Sequence, residues 1–186
     1  MKRLFIATQI TFNHSLNELI TRLKSGCRFD QVTWVEQDIT HLTLRFLGKT
    51  PDTQIPELKQ ILEDITADTT SFQMEIDKLG VFGSRYAPSV IWLGFKEFAL
   101  YKQLFEKLEK RLTTIGFEPA YGNFVPHITL GRIKKIDNKK RFWELIENNP
   151  IVTPQVLQMD ELNLIQSKLL SHGPEYRVLG SYKLNV

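Results

Sequence analysis

The chain has few of the features that would mark a secreted or membrane protein. Cys27 is the only cysteine among 186 residues, so no disulfide can form within the chain, which suits a reducing compartment. The first apolar run, residues 4–7, falls short of the roughly seven residues that a secretory signal needs. No stretch approaches the ~18 apolar residues of a membrane span. We therefore expect a cytoplasmic protein with no membrane partner.

The chain also lacks a large excess of charge of either sign. It carries 24 Lys and Arg against 21 Asp and Glu, a net charge of +3. This balance permits a phosphate-bearing ligand but is too weak to indicate nonspecific binding of duplex nucleic acid. With 42% hydrophobic and 24% charged residues, the composition is that of a soluble globular protein. The length fits one domain.

Histidine is scarce, yet two of the four histidines stand in the same short pattern. The sequence reads HLTLRFLG from residue 41 and PHITLGR from residue 126. Residues i and i+2 of a strand point to the same face. His41 should therefore project with Thr43, and His127 with Thr129, with aliphatic side chains on the opposite faces.

Hydrophobic periodicity predicts an α+β chain whose order of elements repeats. Apolar stripes at helical spacing and apolar or alternating runs at strand spacing indicate the elements. The predicted helices are 15–26, 56–65, 99–116 and 138–148, and the predicted strands are 3–10, 41–47, 71–82, 89–95, 127–133, 156–167 and 175–186. His127 lies 86 residues after His41, and the same offset brings the first strand onto residues near 90–92. We expect one bilobal domain over 1–186, with pseudo-repeat halves of about 1–86 and 87–186.

Two such strands suit acid–base chemistry on a phosphodiester. If a pseudo-twofold axis relates the halves, two imidazoles and two hydroxyls face each other across a cleft. One histidine then removes a proton from the attacking oxygen and the other protonates the departing oxygen. The threonine hydroxyls donate to the nonbridging oxygens, where charge develops. Neither motif has the three ligands of a catalytic zinc site, and no nucleophile-elbow motif is present. We expect no metal and no cofactor.

These motifs resemble those of the two-histidine phosphoesterase superfamily, and the flanking sequence resembles its RNA 2′,3′-cyclic phosphodiesterase branch, also called 2′-5′ RNA ligases. The similarity extends from RLFIA at residues 3–7 to LNLIQSKLLSHGPEYRVL at residues 162–179. It implies a bilobal fold with two antiparallel sheets facing across a central groove and helices outside. It also implies metal-independent hydrolysis of RNA 2′,3′-cyclic phosphate ends to 2′-phosphates, with reverse 2′-5′ RNA ligation as a further activity. Separately, we expect the protein to be a monomer.

Two arginines are further candidates for binding the substrate phosphate. Arg45 lies two residues past Thr43, so alternation puts it on the catalytic face, where it contacts phosphate or forms a salt bridge at the rim. Arg132 matches an arginine common in the family, although alternation puts it off the Thr129 face. Arg132 also opens a basic stretch that continues to Arg141, which would form either a track for the RNA backbone or an ordinary solvated helix start.

Other side chains have weaker claims to a role. Tyr86, Tyr121 and Phe124 are candidates for stacking on a base, although most aromatic residues in a chain of this length belong to the core. His14 and His172 have no matching partner motif and are expected at the surface. Cys27 is expected to be an inert thiol.

Three functions remain open at this point. The first is the RNA cyclic phosphodiesterase that the resemblance implies. The second is a related phosphodiesterase acting on a small cyclic or 2′-5′-linked nucleotide. The third is a noncatalytic RNA-binding module, which the completeness of both motifs disfavours.

Overall fold

The computed structural model describes residues 1–170 and 173–186. The helices are α1 (His14–Gly26), α2 (Ile55–Ala67), α3 (Ala99–Thr114) and α4 (Lys139–Glu147), with single 3-10 turns at Gln37–Ile39 and Asp52–Gln54. The strands are β1 (Lys2–Gln9), β2 (Gln31–Trp34), β3 (His41–Thr50), β4 (Phe72–Gly83), β5 (Pro88–Phe95), β6 (Ile128–Lys135), β7 (Gln155–Met159), β8 (Glu161–Leu170) and β9 (Gly173–Lys183). The predicted α+β class is confirmed.

All the sheet pairings between these strands are antiparallel, and they form one curled sheet. Its order is β7-β4-β5-β6-β3-β1-β8-β9, and β2 pairs with β6 on the edge opposite β5. The two strands that carry the histidine motifs, β3 and β6, meet at its centre through a single residue pair, Leu42 with Ile128. The two sheets that the resemblance implied are thus the two halves of a continuous sheet, joined between the two motifs.

Each half of the sheet contains strands from both halves of the sequence. β4 pairs with β5 and β7 on the β6 side, whereas β8 pairs with β1 on the β3 side. Because strands from both halves of the sequence are mixed in this way, one strand prediction is wrong. Residues 156–167 were expected to form one strand, but the run is interrupted at Asp160, which separates β7 from β8. The two pieces belong to opposite halves of the sheet, so the chain must leave one half before it enters the other.

The helices pack on one face of the sheet through the apolar stripes that their sequences predict. Helix α1 buries Leu16, Leu19 and Leu23. The side chain of Asn13 caps its first turn, because Oδ1 accepts a hydrogen bond from the Leu16 amide at 2.9 Å. No helix among the described residues is long and apolar enough to cross a membrane. With the helices on one face, the other face of the curled sheet is left to form a groove.

One short strand was not predicted. β2 has only four residues, none of them buried, so neither length nor alternation distinguishes it from a loop. It pairs with β6, where Thr33 lies beside Arg132 and Trp34 beside Gly131. This pairing extends the groove wall on the β6 side.

Candidate active site

The four motif residues lie together in a groove of about 570 Å³. His41 and Thr43 enter it from β3, and His127 and Thr129 from the start of β6. The intervening Leu42 and Ile128 are both 0% exposed and belong to the core on the helix side. The alternation predicted from the two motifs is therefore present on both strands.

Both imidazoles are held in the same way by their own backbone. Nδ1 of His41 lies 2.8 Å from the carbonyl oxygen of Ile39, and Nδ1 of His127 lies 2.8 Å from the carbonyl oxygen of Val125. A carbonyl oxygen only accepts hydrogen bonds, so Nδ1 must carry the proton in each ring. Nε2 is then the nitrogen available to a ligand, as a base when the ring is neutral and as an acid when it is charged.

His41 sits in an aromatic corner of the groove. Its ring centroid is 4.9 Å from that of Phe5 and 5.3 Å from that of Tyr176, with the tyrosine ring edge-on. Burial lowers the pKa of His41 below its usual 6.5. The hydrogen bond to Ile39 raises this pKa in part, and the positive charges of Arg132 and His127 lower it further. The neutral imidazole is therefore favoured at neutral pH while the groove holds no anion.

His127 is held by a second pair of aromatic rings. Phe82 lies edge-on at 4.8 Å, and Trp92 lies behind it at 6.3 Å from the imidazole. The indole occupies a slot over Gly80 and Gly94, where an added Cβ would collide with ring carbons of Trp92. Any larger residue at these glycines would displace the indole and with it the support of His127.

A β-bulge removes Arg45 from the groove. Leu44 is an extra residue in β3 beside β1, so the in–out alternation reverses beyond it. Arg45 consequently pairs with Ile6, a fully buried core residue, and faces the helices. Phe46 takes the position in the groove that simple alternation would have given to Arg45.

Of the two roles considered for Arg45, a phosphate contact or a salt bridge, the structure shows the salt bridge. Nε lies 2.5 Å from Oε1 of Glu109 on α3, and Nη2 donates to the carbonyl oxygen of Glu118 at 2.5 Å. The other carboxylate oxygen of Glu109 accepts from the Ala120 amide at 2.7 Å. Arg45 and Glu109 thus fasten the segment that leads to His127 onto β3 and α3, and Arg45 does not line the groove.

A matching bulge brings Arg132 into the groove. Leu130 is an extra residue in β6 beside β5, so the alternation that put Arg132 off the Thr129 face is reversed. Arg132 pairs with Val90, and both line the groove. Its charge is close enough to His41 to act on that ring. The expectation from alternation was wrong for Arg132, because a bulge leaves no signal in the pattern of a single strand.

Most of the basic stretch that begins at Arg132 stays in solvent. Its four lysines are exposed, whereas Arg141 pairs with Asp30 at 3.1 Å, and the Asp30 side chain is 1% exposed. Of the aromatic candidates for base stacking, Tyr86 and Tyr121 are exposed to solvent and do not line the groove. Phe124 instead stacks on Phe105 at 4.1 Å.

The remaining candidates lie outside the groove or outside the described residues. His14 starts α1 with an exposed side chain, 3.2 Å from Glu18. His172 lies outside the described residues. Cys27 is buried, and its burial, followed by the charge of Asp30, raises the pKa of the thiol to about 11, which fits the predicted inert thiol. Among the described residues, no group of three or more His, Cys, Asp or Glu side chains could hold a metal ion.

The groove also contains side chains that sequence reasoning did not identify. Phe5, Phe46 and Tyr176 form an aromatic wall beside His41, and Trp34 contributes from β2. In the sequence, Phe5 has the pattern of a core residue in an apolar strand, and Phe46 that of a buried neighbour of Leu47. Only the pairing of the strands reveals that both face the groove.

Comparison with known proteins identifies relatives that match nearly the whole chain. The RNA 2′,3′-cyclic phosphodiesterase of Thermotoga maritima is 32% identical over 179 residues, which cover 95% of this chain and 92% of that protein. The protein of the same name from Aquifex aeolicus is 34% identical over 173 residues, with 91% and 92% covered.

Solved structures share the fold at lower identity. TT0787 of Thermus thermophilus superposes with a TM-score of 0.79 at 23% identity, over 98% of this chain and 97% of that one. E. coli LigT in its apo form gives 0.72 at 22% identity, over 100% and 98%. The family model described as LigT like phosphoesterase matches residues 10–92 and 97–176. Because this model covers most of the chain and the relatives match nearly all of it, this chain belongs to the LigT-like phosphoesterase family of two-histidine phosphoesterases.

Proposed function

We propose that the protein hydrolyses 2′,3′-cyclic phosphate ends of RNA to 2′-phosphates by general acid–base catalysis, without a metal ion. The observation that carries the proposal is the pair of imidazoles in one groove, each with Nδ1 bound to a backbone carbonyl two residues earlier and with Nε2 unpaired among the described residues. The relatives named RNA 2′,3′-cyclic phosphodiesterases support the choice of substrate.

The catalytic step needs one proton taken and one proton given. Nε2 of neutral His127 accepts a proton from water as the water oxygen bonds to phosphorus. The bond from phosphorus to the 3′ oxygen breaks on the opposite side, and Nε2 of charged His41 donates a proton to that oxygen. The product carries a 2′-phosphate and a 3′-hydroxyl. Each proton transfer contributes about 10²–10⁴-fold, and exchange of protons with solvent resets the pair.

Three side chains stabilise the charge that develops on the nonbridging oxygens. The hydroxyls of Thr43 and Thr129 donate hydrogen bonds from opposite halves of the sheet, and the guanidinium of Arg132 supplies a positive charge from the same groove. The anionic substrate also acts on His41. A negative charge between the histidines favours the charged imidazole, and this opposes the lowering of the pKa by burial and by Arg132.

The same geometry accommodates 2′-5′ ligation as the alternative outcome. If the 5′-hydroxyl of a second RNA takes the place of water, His127 accepts its proton and a 2′-5′ phosphodiester forms as the 3′ oxygen leaves. Microscopic reversibility requires the reverse cleavage to use the same two groups in exchanged roles. The partner in either direction is an RNA end.

A turnover panel tests the substrate. The panel compares oligonucleotides with 2′,3′-cyclic phosphate ends, 2′,3′-cyclic mononucleotides and 2′-5′ dinucleotides by kcat/KM, and phosphorus NMR identifies the product. We expect the oligonucleotide to be preferred and the product to be a 2′-phosphate. Preference for a small nucleotide would support the second function instead, and a 3′-phosphate product would mean that the substrate binds the other way round.

The role of Arg132 is tested by matched charge changes. Arg132→Gln should lower kcat/KM by about tenfold to hundredfold through loss of one charge-assisted contact worth about 1.5–3 kcal/mol. Lys140→Gln removes the same charge from an exposed position in the same basic stretch and should change kcat/KM less than twofold. Equal losses in both variants would point to a general effect of charge rather than to a phosphate contact.

The assignment of acid and base is tested with a substrate whose 3′ leaving oxygen is replaced by sulfur. A thiolate leaves with little need of protonation, so this substrate should restore turnover to His41→Ala but not to His127→Ala. The opposite pattern would exchange the roles of the two histidines.

A further inference from the structure

Strand β6 contains a second bulge, on the edge that it shares with β2. Ile133 pairs with Val32, and Lys135 pairs with Gln31, so Lys134 is an extra residue between the two pairs. Val32 and Ile133 pack against the core on the helix side. Because paired residues point to the same face and neighbours along β2 alternate, Gln31 and Lys135 face the groove side of the sheet.

This bulge continues the line of positive charge that begins in the groove. Arg132 pairs with Thr33, and both line the groove. Lys135 lies on the same face three residues further along β6, which corresponds to about 10 Å of strand. Lys134 and Lys135 are both exposed, and neither forms a salt bridge among the described residues. We call these two lysines the basic strip.

The carboxylate nearest to this end of β2 in the sequence does not neutralise the basic strip. Asp30 directly precedes β2, but its side chain is 1% exposed and pairs with Arg141 at 3.1 Å. Its other oxygen accepts a hydrogen bond from the Asp137 amide at 2.9 Å. The negative charge of Asp30 is thus engaged inside the protein, and the charges of the two lysines remain available to a ligand in solvent.

We propose that the basic strip binds the RNA backbone on the 5′ side of the reacting end and guides the strand out of the groove along β2 and β6. The inference rests on the proposed phosphodiesterase function and adds the path of the rest of the substrate. The reacting nucleotide is the last of its chain, so the remaining RNA continues from its 5′ oxygen. Each further nucleotide adds a phosphate that must leave the groove. A positively charged track along the backbone is how proteins hold single strands.

The chemistry of the basic strip also predicts how selective it is. Lysine side chains bind phosphate as point charges, and phosphates carry no sequence information. Gln31 and Thr33, on the same face, are exposed and add hydrogen-bonding groups for the backbone. The strip should therefore favour longer RNA without selecting its sequence, whereas Arg132 acts on the reacting phosphate.

Activity on substrates of increasing length tests the basic strip. A cyclic mononucleotide and RNA dimers, tetramers and octamers with 2′,3′-cyclic phosphate ends are compared by kcat/KM. In the wild type, kcat/KM should rise with length. Lys134→Gln/Lys135→Gln should lower kcat/KM for the octamer by about 3-fold to 30-fold, the effect of two exposed charge contacts. The rate on the mononucleotide should stay the same, because that substrate has no backbone to reach the strip.

Two matched variants separate a contact from a general effect of charge. Lys102→Gln/Lys110→Gln removes two exposed charges from α3, on the helix side of the sheet, and should preserve the gain with length. Lys49→Gln removes an exposed charge on the β3 side of the groove, where Lys49 pairs with Arg3 of the groove lining. If the gain is lost in Lys49→Gln but kept in the strip variant, the strand leaves by the other side and the inference is overturned. An equal loss in the α3 variant would overturn it as well.

A binding measurement separates this inference from the proposed function. An RNA octamer that ends in a 2′-phosphate is titrated into the wild type and the strip variant by fluorescence anisotropy at several salt concentrations. Loss of two phosphate contacts should reduce the slope of log Kd against log salt by about 1.4, since each contact to a single strand contributes about 0.7. If no cyclic phosphate is turned over but the slope falls in this way, the proposed reaction fails and the basic strip stands. An unchanged slope, or a wild type that gains nothing from length, overturns the strip.

Discussion

The salt bridge between Arg45 and Glu109 provides the sharpest test of the site's architecture. The side chains of Arg45 and Glu109 are only 13% and 16% exposed, and Glu109 also accepts from the Ala120 amide. Glu109→Ala would leave a guanidinium largely out of water without its partner. Breaking a fully buried ion pair costs about 3–5 kcal/mol. Because both side chains here keep some contact with water, we expect a cost of about 2–3 kcal/mol. The lost acceptor for Ala120 adds about 1 kcal/mol, so we expect a total loss of about 3–4 kcal/mol in the free energy of unfolding.

Urea unfolding followed by tryptophan fluorescence measures this loss, and a second ion pair on the same helix provides the control. Arg111 pairs with Asp64 at 2.8 Å, but their side chains are 48% and 41% exposed. Such a surface pair contributes about 0–1 kcal/mol, so Arg111→Ala should cost less than about 1 kcal/mol. The double variant Arg45→Met/Glu109→Met removes both charges and should recover most of the stability lost in Glu109→Ala.

Activity in the same variants decides between the two roles considered for Arg45. If Arg45 acts only by fastening the segment that leads to His127, Glu109→Ala and Arg45→Met should both lower kcat, because each removes contacts that hold this segment. A fully active Glu109→Ala beside an inactive Arg45→Met would instead mean that Arg45 contacts the substrate. A stability loss below about 1 kcal/mol in Glu109→Ala would refute the energetic reasoning.

Three further results are expected. His41→Ala and His127→Ala should each lower kcat at least 10²-fold while the circular dichroism spectrum stays unchanged. The wild-type pH profile of kcat/KM should be bell-shaped. If either variant keeps the wild-type rate, that histidine takes no part in the mechanism. Activity should survive excess EDTA, whereas loss on chelation and recovery with a divalent ion would require a metal. Burial lowers the pKa of His41 in the folded state, so the unfolded chain binds the extra proton between that pKa and 6.5, and stability falls as pH falls through this window. His41→Gln should flatten this part of the stability–pH curve, and an unchanged slope would show that His41 is not its source.

Local structure and the identity of the central residues follow from the order of amino acids alone. Period 3.6 in α1–α4 and period 2 in the motif strands depend only on neighbours along the chain, and so the helices, and the faces of His41 with Thr43 and of His127 with Thr129, could be predicted. The separation of the motifs by 86 residues indicated that the two faces are related. The groove between the two faces was predicted from the family resemblance.

The surroundings of those residues depend instead on how distant strands pair. A bulge is a mismatch between two strands, so no single strand reveals that Leu44 turns Arg45 away from the groove or that Leu130 turns Arg132 into it. The break at Asp160 likewise follows from β7 and β8 pairing in opposite halves of the sheet. The aromatic wall beside His41 joins residues from β1, β3 and β9, which are brought together by strand pairing between distant parts of the chain. Side chains that depend on register between strands are therefore the part of the site that sequence periodicity could not place.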